Sequence, residues 1–87
     1  MEGKISTENA RKIAEQIEYE EKFKKSYYHK KANVWEKYGK RRLYVPRNAY
    51  EDVGYIDLDT REIHPTRPGN ASVLKNVLSM IEELEDA

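Results

Sequence analysis

Residues 33–45 read Asn-Val-Trp-Glu-Lys-Tyr-Gly-Lys-Arg-Arg-Leu-Tyr-Val, and this stretch decides the fold. Polar and apolar side chains alternate on both sides of Gly39, which is the pattern of two β-strands. Gly39 readily adopts positive φ, so Tyr38-Gly39-Lys40 predicts a tight turn between them. The stretch therefore predicts an antiparallel hairpin with strands over about 33–38 and 41–45.

The residues after the hairpin extend it into a larger sheet. Pro46 cannot donate to a strand ladder, so it begins a loop that leads to Val53. Alternation then predicts a strand over about 54–58, a turn at 59–61, and a short fourth strand over about 62–64 that ends at Pro65. The middle of the chain is thus expected to form a three- to four-stranded antiparallel meander.

A helix is expected on each side of the meander. Ser6 and Thr7 are good N-cap residues, and apolar residues follow them at helical spacing, which predicts a helix over about 7–29. A second apolar stripe predicts a helix over about 71–84. The first stripe consists of Ala10, Ile13, Ala14 and Ile17, and the second of Leu74, Val77, Leu78, Ile81 and Leu84.

The alternation also assigns the faces of the sheet. One face collects aliphatic residues, and both helices are expected to cover it. Its members are Val34, Tyr38, Leu43, Val45, Ile56, Leu58 and Ile63. Glu36 does not fit this face, so we expect it at the sheet rim, paired with a helix lysine, or at a bulge in the first strand. The chain predicts an α+β, two-layer sandwich of order α-β-β-β(β)-α, and 87 residues form a single domain over 1–87.

Composition excludes several classes of function. The chain has no cysteine, which rules out disulfide scaffolds, thiolate metal sites and thiol nucleophiles, and makes a reducing cytoplasm the expected location. We expect no signal peptide and no membrane span, because no apolar run exceeds three residues.

Charge is balanced overall but segregated along the chain. The formal net charge is zero, yet residues 22–48 carry ten basic side chains and Glu36 as their single acid, whereas both ends are acidic. Exposed ion pairs contribute only about 0–1 kcal/mol each, so stability alone is a weak reason for this segregation. A basic middle segment favours a polyanionic partner, although pairing with the acidic ends remains an alternative.

The second sheet face carries the residues that point to a function. Aromatic rings there alternate with cations, and this combination can stack on bases and neutralise phosphates. The candidate binding residues are Trp35, Lys37, Lys40, Arg41, Arg42, Tyr44, Arg47 and Tyr55. They predict a non-enzymatic nucleic-acid-binding domain. The alternatives are a structural role for the rings as cross-strand pairs, or a small protein-interaction module or inhibitor that acts on a nucleic-acid-handling complex.

An enzyme reading would rest on Asp57, Asp59, Glu62 and His64, whose oxygen ligands could hold a hard cation. The segment Asp59-Thr60-Arg61-Glu62 is ordinary turn chemistry, and no nucleophile or phosphate-loop motif accompanies it. We therefore expect no catalysis, no cofactor and no metal site.

The last helix ends in Glu82-Glu83-Leu84-Glu85-Asp86, where acids oppose the helix dipole. We expect a frayed, solvated final turn. The alternatives are docking of these acids against the basic segment, or their presentation to a protein that normally binds nucleic acid. The broad apolar face of this helix could support a dimer, but two helices side by side on one sheet favour a monomer.

Overall fold

The computed structural model describes residues 4–18, 32–46 and 52–86. Its elements follow one another as helix α1 (Thr7–Glu18), strands β1 (Asn33–Lys37), β2 (Lys40–Pro46), β3 (Asp52–Asp57) and β4 (Ile63–Pro65), a 3-10 turn (Pro68–Asn70) and helix α2 (Ala71–Asp86). The four strands form one antiparallel sheet in the order β1-β2-β3-β4. This architecture confirms the predicted α+β fold with a helix on each side of a meander.

The start of α1 is set by the predicted cap. The Ser6 hydroxyl accepts the backbone N–H of Asn9 at 3.1 Å, and the Ser6 carbonyl accepts the N–H of Ala10 at 3.1 Å. The first bond satisfies a donor that a helix N-terminus leaves without an intrahelical partner, and the second is the first regular bond of the helix. The predicted continuation of this helix over 19–29 lies outside the described residues.

The first hairpin closes with two residues, which corrects one sequence assignment. Tyr38 and Gly39 both have positive φ, 56° and 74°, as a two-residue turn of the mirror-image type requires. Tyr38 was expected on the aliphatic face, but it forms the turn and is 89% exposed. Lys40 and Pro46 instead belong to β2, so this strand is longer than predicted.

Both helices pack on one face of the sheet, α1 mainly against β1 and β2, and α2 against β3 and β4. The buried core between the layers includes the expected sheet residues Leu43, Val45, Ile56 and Leu58, together with Ile13, Ile17, Leu74, Val77 and Ile81 from the helices. Leu78, Met80 and Leu84 pack against the same core. The apolar stripe of α2 is therefore covered within one chain, although the oligomeric state stays a prediction.

Gly54 allows the second helix to approach the sheet closely. This buried residue in β3 has a φ of 149°, a backbone conformation that residues with a side chain rarely adopt. A Cβ placed there would lie 2.8 Å from Leu74 Cδ1 of α2 and 2.8 Å from Pro65 Cα of β4. A side chain at this position would force the helix and the neighbouring strand apart.

Glu36 lies at the sheet rim, as expected, and pairs with helix α1. Its partner is Arg11, with Nη2 3.3 Å from Glu36 Oε1, rather than a lysine. The first hairpin keeps a regular register, so the predicted bulge in β1 is not formed. The register shift lies instead between Val45 and Pro46, where β2 pairs with β3.

The acidic end of α2 is helical as far as Asp86, and two of its carboxylates are paired, so these two are not solvated as the expectation of a frayed turn required. Glu85 Oε2 accepts the side-chain amide of Asn9 and the backbone N–H of Ser6, the latter at 3.4 Å. Arg61 Nη1 lies 2.9 Å from Glu82 Oε2, and its Nη2 lies 3.9 Å from Glu85 Oε1. The carboxylates of this turn therefore face the N-terminus of α1 and Arg61.

Candidate functional site

The sheet face opposite the helices carries a continuous row of stacked side chains from all four strands. Its members, here called the aromatic ladder, are Trp35, Arg42, Tyr44, Tyr55 and His64. In the strand register Trp35 lies opposite Arg42, Tyr44 opposite Tyr55, and Tyr55 opposite His64. Strand alternation alone brings these side chains to one face, because the core residues of the same strands occupy the intervening positions.

Arg42 lies at the centre of the ladder. Its guanidinium carbon is 5.1 Å from the ring centroid of Trp35 and 4.4 Å from that of Tyr55, so the cation contacts two π faces. Nη1 donates to the Tyr44 hydroxyl at 3.1 Å, and this bond is the main reason that the pKa of Arg42 is raised above its ordinary value. Arg42 Nε is buried and has no hydrogen-bond partner among the described residues.

The rings continue the ladder across β3 and β4. Tyr44 meets Trp35 edge to face at 6.4 Å between centroids and lies 5.2 Å from Tyr55. Tyr55 stacks on the His64 imidazole at 4.5 Å with an angle of 16° between the planes. Trp35, Tyr44 and Tyr55 are half-buried, whereas His64 at the sheet edge is exposed. The ladder is thus a pre-packed surface with accessible ring area.

Charges of opposite sign flank the ladder. Lys37 and Lys40 lie opposite each other at the hairpin tip, and both are exposed. Asp57, opposite Arg42 in the register, and Glu62 lie where β3 turns into β4, and Glu62 Oε1 is 3.7 Å from His64 Nε2. The face is therefore basic on its β1–β2 side and acidic on its β3–β4 side, and both turns lie at the same end of the sheet.

Asp57 has a structural task in that turn. The backbone N–H groups of Asp59 and Thr60 donate to its Oδ1 at 2.9 and 3.1 Å. Burial raises the pKa of Asp57, but these hydrogen bonds and the nearby His64 outweigh it, so the pKa lies below its ordinary value. The carboxylate is engaged in closing the hairpin.

Arg41 does not join the ladder, because it points to the opposite side of β2. Its Nη2 lies 2.8 Å from Asp59 Oδ1, its Nη1 donates to the Thr7 hydroxyl at 2.9 Å, and only 20% of its side chain is exposed. Arg41 was one of the candidate binding residues, but its guanidinium is paired with an acid from the β3–β4 turn. Arg41 links three segments of the chain.

A second feature lies at the hairpin tip, where a shallow groove of about 480 Å³ is lined by basic residues. We call it the tip groove. It is lined by Lys4, Glu36, Lys37, Gly39, Lys40, Arg41 and Asp59. Lys4 is a residue that sequence reasoning missed. No pattern in the sequence marks Lys4 as a groove residue. It reaches the groove because its neighbour Ile5 is buried and the Ile5 N–H donates to the Leu58 carbonyl at 2.8 Å.

The remaining predictions concern Arg47, a metal site and a membrane span. Arg47 lies outside the described residues. Across residues 4–18, 32–46 and 52–86, no group of three or more histidine, aspartate or glutamate side chains is placed to hold a metal ion. In those same ranges no helix has the length and apolarity needed to cross a membrane.

Comparison with protein-family models found no match, and comparisons with curated proteins and with solved structures found no significant similarity. The sheet face and the tip groove are therefore the features of the molecule that bear on its function.

Proposed function

We propose that this domain binds nucleic acid without catalysis, with the aromatic ladder as the platform for bases. The observation that carries the proposal is the row of Trp35, Tyr44 and Tyr55 around Arg42, on the sheet face opposite the one that the described residues of α1 and α2 cover. Every base has a π face, so a row of rings binds unpaired bases with little sequence preference. Stacking on a protein ring contributes about 1–3 kcal/mol per base.

The basic side of the face supports the same reading. Lys37 is two residues from Trp35 along β1, a separation of about 6.8 Å in a strand. This distance is comparable to the length of one extended nucleotide, so a base on the ladder places its phosphates near the lysines. Phosphate neutralisation by lysine supplies most of the affinity in non-specific complexes.

Fluorescence of Trp35, the only tryptophan in the chain, provides the test. Short single- and double-stranded oligonucleotides of the same sequence are titrated at about 50 and about 200 mM salt. We expect quenching that is stronger for the single strand and weaker at the higher salt. Absence of quenching with both oligonucleotides at low salt, or binding that does not respond to salt, contradicts the proposal.

A matched pair of variants separates stacking from other effects. Tyr55→Ala removes a ring from the ladder and should weaken binding by about 1–3 kcal/mol, the contribution of one stacked base. Tyr55→Phe keeps the ring and should retain most of the affinity. Equal affinities of the two variants, both folded by circular dichroism, would mean that the ring does not contact the ligand.

A protein partner is the second candidate, and the mixed charge of the face favours it. Asp57 and Glu62 on one side would repel a phosphate backbone, and Trp, Tyr and Arg are the residue types that dominate protein interfaces. A pull-down from nuclease-treated lysate distinguishes the two candidates. Retention of a partner by the intact chain, and its loss with Tyr55→Ala, would favour this reading over nucleic acid.

A further inference from the structure

Three lysines from separate parts of the chain meet at the tip groove. Lys4 precedes α1, Lys37 ends β1 and Lys40 begins β2, and all three are exposed. Within the described parts of the chain, none of them is paired with a carboxylate. Like charges that converge without partners repel one another, and this arrangement contributes nothing to stability.

The two carboxylates of the groove are already engaged. Glu36 pairs with Arg11 at 3.3 Å, and Asp59 pairs with Arg41 at 2.8 Å. These pairs leave the lysine ammonium groups as the charges available to a ligand. The groove is therefore an uncompensated cationic concavity on a protein whose net charge is zero.

The walls of the groove are held by specific contacts. Arg41 bonds Thr7, Asp59 and the Leu58 carbonyl, at 2.9, 2.8 and 3.4 Å, and so fixes β2 against the first residue of α1 and the β3–β4 turn. The turn residue Gly39 has no other atom within 4 Å of the place that a Cβ would take, so the floor beside it is open. A hydrogen-bonded rim with exposed ammonium groups suits a ligand that carries several anionic oxygens.

We propose that the tip groove is a phosphate-binding site in which Lys4, Lys37 and Lys40 contact successive phosphoryl groups. Its ligand class is the phosphate chain of a single-stranded nucleic acid, and in this form the inference rests on the proposed function. The strand enters at the hairpin tip and its bases continue onto the aromatic ladder. Arg41 acts as a positioning residue and does not contact the ligand.

The experiment uses two ligands and two matched double variants of the full chain. The ligands are inorganic tripolyphosphate, which has no bases, and a short oligothymidine strand. The groove variant is Lys37→Gln with Lys40→Gln, and the control is Lys12→Gln with Lys75→Gln, which removes the same charge from exposed positions on the helices. Binding is followed by amide chemical shifts for tripolyphosphate and by Trp35 fluorescence for the oligonucleotide.

We expect tripolyphosphate to shift the amides of Lys4, Gly39 and Lys40, and we expect the groove variant to lose this response while the control keeps it. For the oligonucleotide, removal of two phosphate contacts should lower the slope of log affinity against log salt by about 1.4, at about 0.7 per contact. Lys4→Gln alone should lower it by about 0.7.

The outcomes separate this inference from the proposed function. Oligonucleotide binding that is equal in the groove and control variants would overturn the phosphate site and leave the ladder intact. Tripolyphosphate binding that depends on the groove, with no response to the oligonucleotide, would support a phosphate site there but overturn nucleic acid as its ligand, together with the proposed function. Tripolyphosphate shifts spread over all exposed lysines would overturn the site, because they indicate charge attraction without a defined groove.

Discussion

Glu85 offers the sharpest test of how the two helices are joined. The residue lies in the last turn of α2, where a negative charge opposes the dipole of its own helix. Its carboxylate also accepts hydrogen bonds from Ser6 and Asn9 at the N-terminus of α1, where a negative charge is favourable. Only 18% of the Glu85 side chain is exposed. Glu85→Gln keeps the size of the side chain and removes the charge.

The expected loss follows from three contributions. The two helix dipoles act on the carboxylate with opposite signs and similar magnitudes, about 0.3–1 kcal/mol each, so they nearly cancel. The bond from Asn9 changes from a charged to a neutral hydrogen bond, a loss of about 1 kcal/mol. The distant pair with Arg61 contributes about 0–1 kcal/mol. We therefore expect the free energy of unfolding to fall by about 1–2 kcal/mol.

Urea unfolding at neutral pH measures this difference, and a thermal melt should show a fall of about 4–8 °C per kcal/mol for a domain of this size. Glu83→Gln is the matched control, because Glu83 is in the same turn but exposed. It relieves the unfavourable charge without breaking a contact, so stability should rise by about 0.3–1 kcal/mol. A gain in stability for Glu85→Gln, like the one expected for Glu83→Gln, would refute the pairing between the helices, since Glu85 would then act only through its own helix.

Three further predictions concern the turns and the core. Tyr38→Asn should raise stability by about 0.5–1 kcal/mol in urea unfolding, because asparagine tolerates positive φ better than tyrosine; no gain over Tyr38→Ala would show that the turn is not strained. Gly54→Ala should cost more than about 3 kcal/mol or prevent folding, whereas Gly69→Ala, which meets open space, should be nearly neutral; a tolerated Gly54→Ala would refute the close approach of α2. The pKa of Asp57 is lowered in the folded state, so its contribution to stability is present above its unfolded value of about 3.8 and is lost as pH falls through the folded pKa. Asp57→Asn should therefore lose less stability than the intact chain between pH 6 and pH 3, and equal losses would contradict the hydrogen-bonded carboxylate.

The sheet could be predicted from the sequence because its signals are local. Gly39 between alternating runs predicts a hairpin, and Pro46 and Pro65 restrict where strands pair. The errors lie at the ends of elements. Tyr38 continues the alternation of β1, so periodicity alone placed it in the strand, whereas the two-residue turn required it at positive φ.

The contacts of the candidate site were less predictable because they join distant segments. The partner of Glu85 at the N-terminus of α1 is 76 positions away, and that of Arg41 in the β3–β4 turn is 18 positions away. Composition shows that these charges exist but gives no pairing. Lys4 was missed for the same reason, since its position depends on the burial of Ile5.

The basic run Lys40-Arg41-Arg42 shows why charge in sequence does not translate directly into charge on a surface. Side chains alternate along β2, so Arg42 faces the ladder and Arg41 faces the core side, while Lys40 at the start of the strand lines the tip groove. Arg42 is stacked between rings and Arg41 is paired with Asp59, which leaves Lys40 as the exposed cation of the three. Arg41→Gln should accordingly reduce stability more than binding, whereas Lys40→Gln should reduce binding with little change in stability. Urea unfolding and oligonucleotide titration of the two variants measure both quantities, and an Arg41→Gln variant with intact stability and lost binding would place its guanidinium on the ligand instead.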